Sequence, residues 1–437
     1  MERRAIVVGG GLAGIAAAVM LADHGVAVTL LEARRRLGGR AGSFEDARTG
    51  EVLDNCQHVA MGACRVYVQF LQRLGVADKL AWGTRQTWIE PGGRRSTLRA
   101  LPLPGALAFA PSLLVARFLN LADKRSLARA VRAAEQVDRA TLADTPFLDW
   151  LSTTDPTPRA IARFWEPLIV SACNLVPDRV SAEVALHVVQ GAMLGGPGNA
   201  SIGVPISPLG ELYEPVPKLL EGAGGAVAFG ARAKMIEPGR VECVDGSVFE
   251  ADAVVCALDP SAANRMVTVD GREPYAGVSF SPILGVHIQY DREVLDVPHA
   301  VLVEGAIQWV FSKHGDASLL HGVASAANDW AGLSEAETVE RAVADIATYL
   351  PAARGAEVRW ARPVLERRAT FAATPSFQLR RPGAGRLADQ GCFIAGDATS
   401  TGWPATMEGA VRSGRGAAAA VLLELGTQPT ASDTARR

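Results

Sequence analysis

Glycine at positions 9, 11 and 14 stands between an apolar run, Ala5-Ile6-Val7-Val8, and a helix-forming stretch that begins at Leu12. The run is short, unbroken and closed by glycine, the pattern of a buried parallel strand entering a tight turn. The helix face extends from Leu12 to Leu21 and stops near His24-Gly25, and Val26-Ala27-Val28-Thr29-Leu30-Leu31 then forms a second apolar β run ending on Glu32. This is a complete β-α-β unit. Within it each glycine has its own physical role. Gly9 allows the turn, Gly11 lets backbone approach a pyrophosphate at the amides of Leu12 and Ala13, and Gly14 lets helix and strand pack closely. Glu32, 18 residues after Gly14, is placed to accept from both hydroxyls of a ribose. A carboxylate there favours an unphosphorylated ribose, so NAD or FAD over NADP.

A chain of 437 residues, 49% hydrophobic and 21% charged, has apolar material for two domains' worth of core. Its net charge of −2 and the lack of a dense basic block exclude a nucleic-acid partner. Six cysteines lie singly, without the spacing of a disulfide framework or a zinc site, so we expect no metal, reduced thiols and a cytoplasmic location. The uncharged run from Ala5 to Ala22 is read as the first strand and helix rather than as a signal peptide or span, because of its glycines. The uncharged stretches 100–116 and 184–210 are broken by proline or glycine and are not expected to span a membrane.

From about Leu101 to Gln190 the apolar residues recur with helical spacing, as in Leu113, Leu114, Ala116, Phe118 and Leu119 and again in Leu127, Ala130, Val131 and Ala134. Beyond a Gly-rich loop come a helix over 212–220 and short strands at 226–229, 240–244, 247–249 and 253–258, with Asp245-Gly246 as a hairpin turn. Further β-rich stretches are expected at 283–290 and 300–310, a helix over 335–350, and a last strand, 392–395, leading through Gly396-Asp397 to a helix over 407–425.

The continuation Glu32-Ala33-Arg34-Arg35-Arg36-Leu37-Gly38-Gly39-Arg40, together with Gly396-Asp397 and the run Gly402–Ala410, resembles the flavin amine oxidase and carotenoid desaturase superfamily. The resemblance runs from about Arg4 to Leu425. It implies FAD, with Arg34, Gly38, Gly39 and Arg40 near its diphosphate, Asp397 at a ribityl hydroxyl or phosphate, and the backbone of Ala233 at the adenine. It also aims the helix that begins at Met407 toward the N1 edge of the flavin, where a helix N-terminus stabilises the charge of the reduced ring. Leu53–Val59, Arg368–Pro375 and Gly402–Gly414 further resemble the hydroxysqualene dehydroxylase subfamily, which fits Cys56 where the wider superfamily has glycine. Amine oxidases commonly carry a lysine near flavin N5 on the strand corresponding to Ser281–Tyr290, and this chain has none there.

The resemblance implies an α/β chain with a discontinuous Rossmann-like FAD-binding domain, a parallel sheet with helices and a β-meander, over 1–95, 205–275 and 385–426. A mixed β-sheet and helical substrate domain would occupy 96–204 and 276–384, with 427–437 a flexible tail. The implied reaction removes the hydroxyl of hydroxysqualene reductively, which calls for a long apolar isoprenoid substrate, a separate electron donor, a proton donor and a dry tunnel. His58 is the expected acid, Gln57 and Asp54 its orienting neighbours, Val59 a flavin contact and Trp403 a pocket wall. A carotenoid desaturase, an amine oxidase and a flavin-binding redox sensor or scaffold are the alternatives. FAD is expected to be held without a covalent bond, since Leu365–Arg386 contains no cysteine. The apolar, proline-interrupted segment Leu98–Leu121, edged by Arg99, Arg117, Lys124 and Arg125, is the expected doorway to the inner face of the cytoplasmic membrane, with Leu113, Leu114 and Phe118 as its contacts.

Overall fold

The computed structural model describes residues 3–196 and 198–427, so the expected tail from 428 onward lies outside the described residues. The first strand β1 (Arg4–Val8), helix α1 (Leu12–Asp23) and strand β2 (Ala27–Glu32) form the unit that the glycine spacing predicts. β1 and β2 are parallel and join a five-stranded sheet with Ala226–Phe229, Ala253–Cys256 and Cys392–Ile394, all parallel and from three distant parts of the chain. Ile6, Val7, Val8, Val254 and Val255 are almost fully buried because helices or chain cover both sheet faces. A three-stranded antiparallel meander, Ala233–Glu237, Arg240–Cys243 and Val248–Glu250, packs beside this sheet.

A second, seven-stranded mixed sheet orders Val358–Phe371, Phe280–Tyr290, Asp316–Ser325, Trp309–Lys313, His299–Leu302, Arg85–Ile89 and Arg95–Arg99. The stretch expected at 300–310 is two strands, because the chain turns at Glu304, whose φ is 63°. Arg85–Ile89 lies in the segment 1–95 expected to serve the FAD-binding part, yet it pairs with this second sheet, as does Arg95–Arg99. The strand Val358–Phe371 has no sign in the sequence pattern. It carries Arg359, Arg362, Pro363, Arg367 and Arg368, and Pro363 is accommodated because the strand is at the sheet edge. Helices from Ala110 to Val188 cover this sheet, as the helical spacing predicts, and bury Phe118, Phe147 and Trp165 completely. The helix Leu121–Gln136 opens with a capping box in which Asn120 and Asp123 satisfy each other's backbone N–H.

One ion pair fastens the two-stranded hairpin of Ser43–Glu45 and Val52–Asp54 to the seven-stranded sheet. Asp54, at the end of the short strand Val52–Asp54, accepts from Lys313 Nζ at 2.6 Å, and the two side chains are 2% and 3% exposed. The other Asp54 oxygen accepts from Ser43 Oγ at 2.7 Å and Leu209 N at 2.9 Å, while its carbonyl accepts from His287 Nε2 at 3.1 Å. Burial alone would raise the Asp54 carboxyl, but Lys313 and these donors hold it below its ordinary value. The stabilisation is therefore present above the unfolded carboxylate value, about 3.9, and is lost as pH falls below it toward the depressed folded value. Lys313→Met leaves a buried carboxylate without its cation and is expected to cost about 3–5 kcal/mol in urea denaturation. Asp54→Asn with Lys313→Met is expected to cost less, and a double variant as unstable as the sum of the single ones would break the link.

Candidate cofactor and active site

A cavity of about 940 Å³ lies where the C-terminal ends of β1 and β2 face the second sheet. Gly9, Gly11, Leu12 and Ala13 form one wall. The start of α1 has no side-chain cap, so its first amides and the positive end of its dipole are left for an anion. Gly14 sits outside the cavity, because a Cβ there would stand 1.8 Å from Gly9 O, and this contact lets the helix press on the loop. Glu32, buried at the end of β2, accepts from Gly10 N at 2.8 Å and Arg34 N at 2.7 Å, which fixes its carboxylate at the cavity edge beside Ala233. A carboxylate has about four acceptor sites, so two remain for ribose hydroxyls.

Three remote runs meet on Arg40. Its Nη2 donates to Asp397 Oδ1 at 2.6 Å and its Nη1 to Ala369 O at 2.8 Å, and all three residues line the cavity with Gly38, Gly39 and Gly396. Burial opposes the Arg40 charge, but Asp397 outweighs it and raises the guanidinium pKa. Asp397 is not a helix cap: Thr406 caps the helix Met407–Glu424 by accepting from Gly409 N at 3.1 Å, and Met407 begins that helix at the cavity wall. An uncapped helix start, a fixed carboxylate and an arginine beside open glycine backbone match the pyrophosphate and ribose of a dinucleotide, so these residues fit FAD.

Gln57, His58 and Val59 line the same cavity. Asp54 does not reach it, and touches Gln57 only through Lys313, whose Nζ also donates to Gln57 Oε1 at 3.2 Å. His58 Nδ1 lies 3.1 Å from Cys56 O. A carbonyl only accepts, so Nδ1 carries the proton and the neutral ring presents Nε2 as an acceptor. Burial lowers the His58 pKa, with Arg40 and Lys313 adding to the effect, so the ring is neutral at neutral pH. For the acid role expected of it, His58 must first be protonated at Nε2. Trp403 lines the cavity and packs edge-on against His187 with ring centroids 4.4 Å apart.

The remainder of the cavity is the inner face of the seven-stranded sheet and the helices over it, with Ile283, Trp309, Phe311, Val323, Leu168 and Ala172 on its walls. Period-two alternation puts Gly285 and His287 on the same face as Ile283, so no lysine of Phe280–Tyr290 faces the site. His287 instead stacks on His321 at 3.9 Å, and burial lowers both imidazole pKa values. The buried cations Lys313 and Arg381 are not legible in the sequence, because neither belongs to a recognisable motif. Among the described residues no group of three or more His, Cys, Asp or Glu is arranged to hold a metal ion.

Glu32→Ala removes the ribose acceptor and Arg40→Ala a charge-assisted contact worth roughly 1.5–3 kcal/mol. Each variant is expected to bind FAD about tenfold or more weakly by fluorescence titration of the apoprotein. Wild-type affinity in both would remove these residues from the cofactor site.

The family described as flavin containing amine oxidoreductase matches residues 12–422. A hydroxysqualene dehydroxylase of Sinorhizobium fredii is 27% identical over 98% of this chain and 100% of its own length, and one of Rhodopseudomonas palustris is 28% identical over 97% and 99%. A 15-cis-phytoene desaturase of Synechococcus elongatus is 24% identical over 96% of each. Among solved structures, putrescine oxidase bound to putrescine superposes with a TM-score of 0.72 at 18% identity, covering 97% of this chain and 99% of that one. Cyclohexylamine oxidase from Brevibacterium oxydans gives 0.67 at 20%, covering 98% and 100%. The amine oxidases share the fold, and the family match spans nearly the whole chain, so the protein is an FAD-dependent oxidoreductase that belongs to the flavin-containing amine oxidoreductase family.

Proposed function

We propose that the protein reduces hydroxysqualene to squalene in hopanoid-type isoprenoid biosynthesis. The carbon–oxygen bond of the allylic alcohol breaks, the oxygen leaves as water with one added proton, and a hydride equivalent from FAD, supplied with electrons by a separate donor, takes its place. The observation that carries this reading is the near-full-length likeness to two hydroxysqualene dehydroxylases. The apolar walls beyond Gln57 and His58 support it, since a long hydrocarbon and a cationic intermediate both need a cavity without bulk water. Desaturation is the second reading, favoured by the neutral His58, because an oxidation that removes a hydride also needs an acceptor for the adjacent proton. Amine oxidation has no support from the inner face of Phe280–Tyr290, which lacks a lysine.

Purified protein with FAD, a chemical reductant and hydroxysqualene is expected to yield squalene, whereas conversion of phytoene alone under oxidising conditions would favour the desaturase. If His58 is the acid, turnover rises as pH falls toward and below about 6.5, since only the imidazolium donates. His58→Gln is then expected to lower turnover by about 10²–10⁴ and to flatten this dependence. An unchanged profile would remove His58 from the proton transfer.

No helix among the described residues is long and apolar enough to cross a membrane. A peripheral contact on the cytoplasmic side, through the segment expected for it, is part of the proposal, but of the expected contacts only Leu114 is exposed. Phe118 is core, stacked on the cavity-lining Trp88 at 4.8 Å, and Leu113 is half-buried. Leu107, Leu114 and Val115 point outward, 58%, 66% and 74% exposed, beside exposed Arg99, Arg117 and Arg125. An apolar patch edged by cations suits an anionic bilayer. Replacing Leu107, Leu114 and Val115 together with Ser is expected to reduce binding to anionic liposomes while the flavin spectrum is unchanged. Undiminished binding would rule out this surface.

A further inference from the structure

Arg381 is 7% exposed and, among the described residues, forms no ion pair. A buried guanidinium ordinarily has a carboxylate partner. Here backbone carbonyls take that place. Nε donates to Ala398 O at 3.3 Å, Nη1 to Trp403 O at 3.0 Å and Gln378 Oε1 at 3.1 Å, and Nη2 to Asp397 O at 3.1 Å and to Thr399 O. The face of the guanidinium lies 4.7 Å from the centre of the Phe371 ring. Four of the five acceptors belong to one seven-residue stretch, 397–403, whose first and last side chains line the cofactor cavity and which leads into the helix at Met407. Drawing the carbonyls of 397, 398 and 399 to one cation fixes the path of that stretch and aims the Asp397 carboxylate at Arg40.

The charge is left without a counterion. Of the two carboxylates whose field reaches it, Asp397 is paired with Arg40, and Glu183 accepts from Gln378 Nε2 at 2.9 Å. Burial pushes the Arg381 pKa down to about 10, which leaves it charged at neutral pH.

We infer that Arg381 is a positioning residue that sets the flavin-facing stretch 397–403, and that its unpaired charge favours the anionic reduced flavin over the oxidised ring. This rests on FAD binding alone and is independent of the substrate. The test is Arg381→Met and Arg381→Lys, each purified and reconstituted with FAD, read by FAD dissociation constant and by anaerobic midpoint potential. Arg381→Met is expected to bind oxidised FAD at least tenfold more weakly. It is also expected to lose about a further tenfold for the reduced form, a potential lowered by about 30 mV in a two-electron couple. Arg381→Lys keeps the charge but has three donors for five acceptors, so weaker binding with a nearly wild-type potential is expected. Wild-type affinity in Arg381→Lys overturns the positioning role even if the methionine variant does not fold. A potential in Arg381→Lys that falls as far below wild type as about 30 mV overturns the role of the charge, as does a wild-type potential in a folded Arg381→Met.

Discussion

Two places where backbone touches backbone govern the cofactor half. A Cβ on Gly14 would stand 1.8 Å from Gly9 O, and one on Gly414 would stand 2.0 Å from Ala13 O. The first contact seats α1 on the loop that leaves β1, and the second seats the C-terminal helix on α1. Because helices packed this closely have no room to slide, the starts of both are carried to the same cavity. The meeting of Arg40 with Ala369 and Asp397, each more than three hundred residues away in sequence, depends on that packing.

Charged groups in the interior serve a different purpose from those at the cavity. Asp54 and Lys313 join the hairpin that ends on Asp54 to the seven-stranded sheet, and Arg381 gathers the carbonyls of a loop that would otherwise have few reasons to adopt one path. Buried polar networks of this kind cost desolvation and add little net stability, but when every member is satisfied they specify a single arrangement. Glu408, fully buried, belongs to the same class: it accepts from Val66 N at 3.2 Å, Tyr67 N at 2.6 Å and Arg412 Nε at 2.7 Å, and so ties a helix start near the cofactor to the C-terminal helix. The consequence for chemistry is a rigid, polar cofactor end joined to an apolar chamber.

Buried imidazoles illustrate how position decides protonation. Nothing in the sequence around His58, His287 or His321 fixes their protonation, yet burial keeps all three neutral. For His58 the carbonyl of Cys56 then selects the tautomer and leaves Nε2 as an acceptor.

Sequence by itself determined what is local or is written in backbone freedom. The β-α-β unit, the Glu32 terminus, the meander turn at Asp245-Gly246 and the helical character of 101–190 follow from period, glycine position and turn chemistry, which act over a few residues. Tertiary structure alone decided what depends on which face meets which neighbour. The arginine-rich strand Val358–Phe371 forms because Phe280–Tyr290 offers it an edge. Phe118 is core while Leu107, Leu114 and Val115 are exposed, although all share one apolar segment, because the direction of each side chain is set by the helices and Trp88 around it. Asp54 finds Lys313, and Arg381 finds its carbonyls, only once distant strands and loops are packed, since charge and burial are properties of the whole fold and carry no local period to be read.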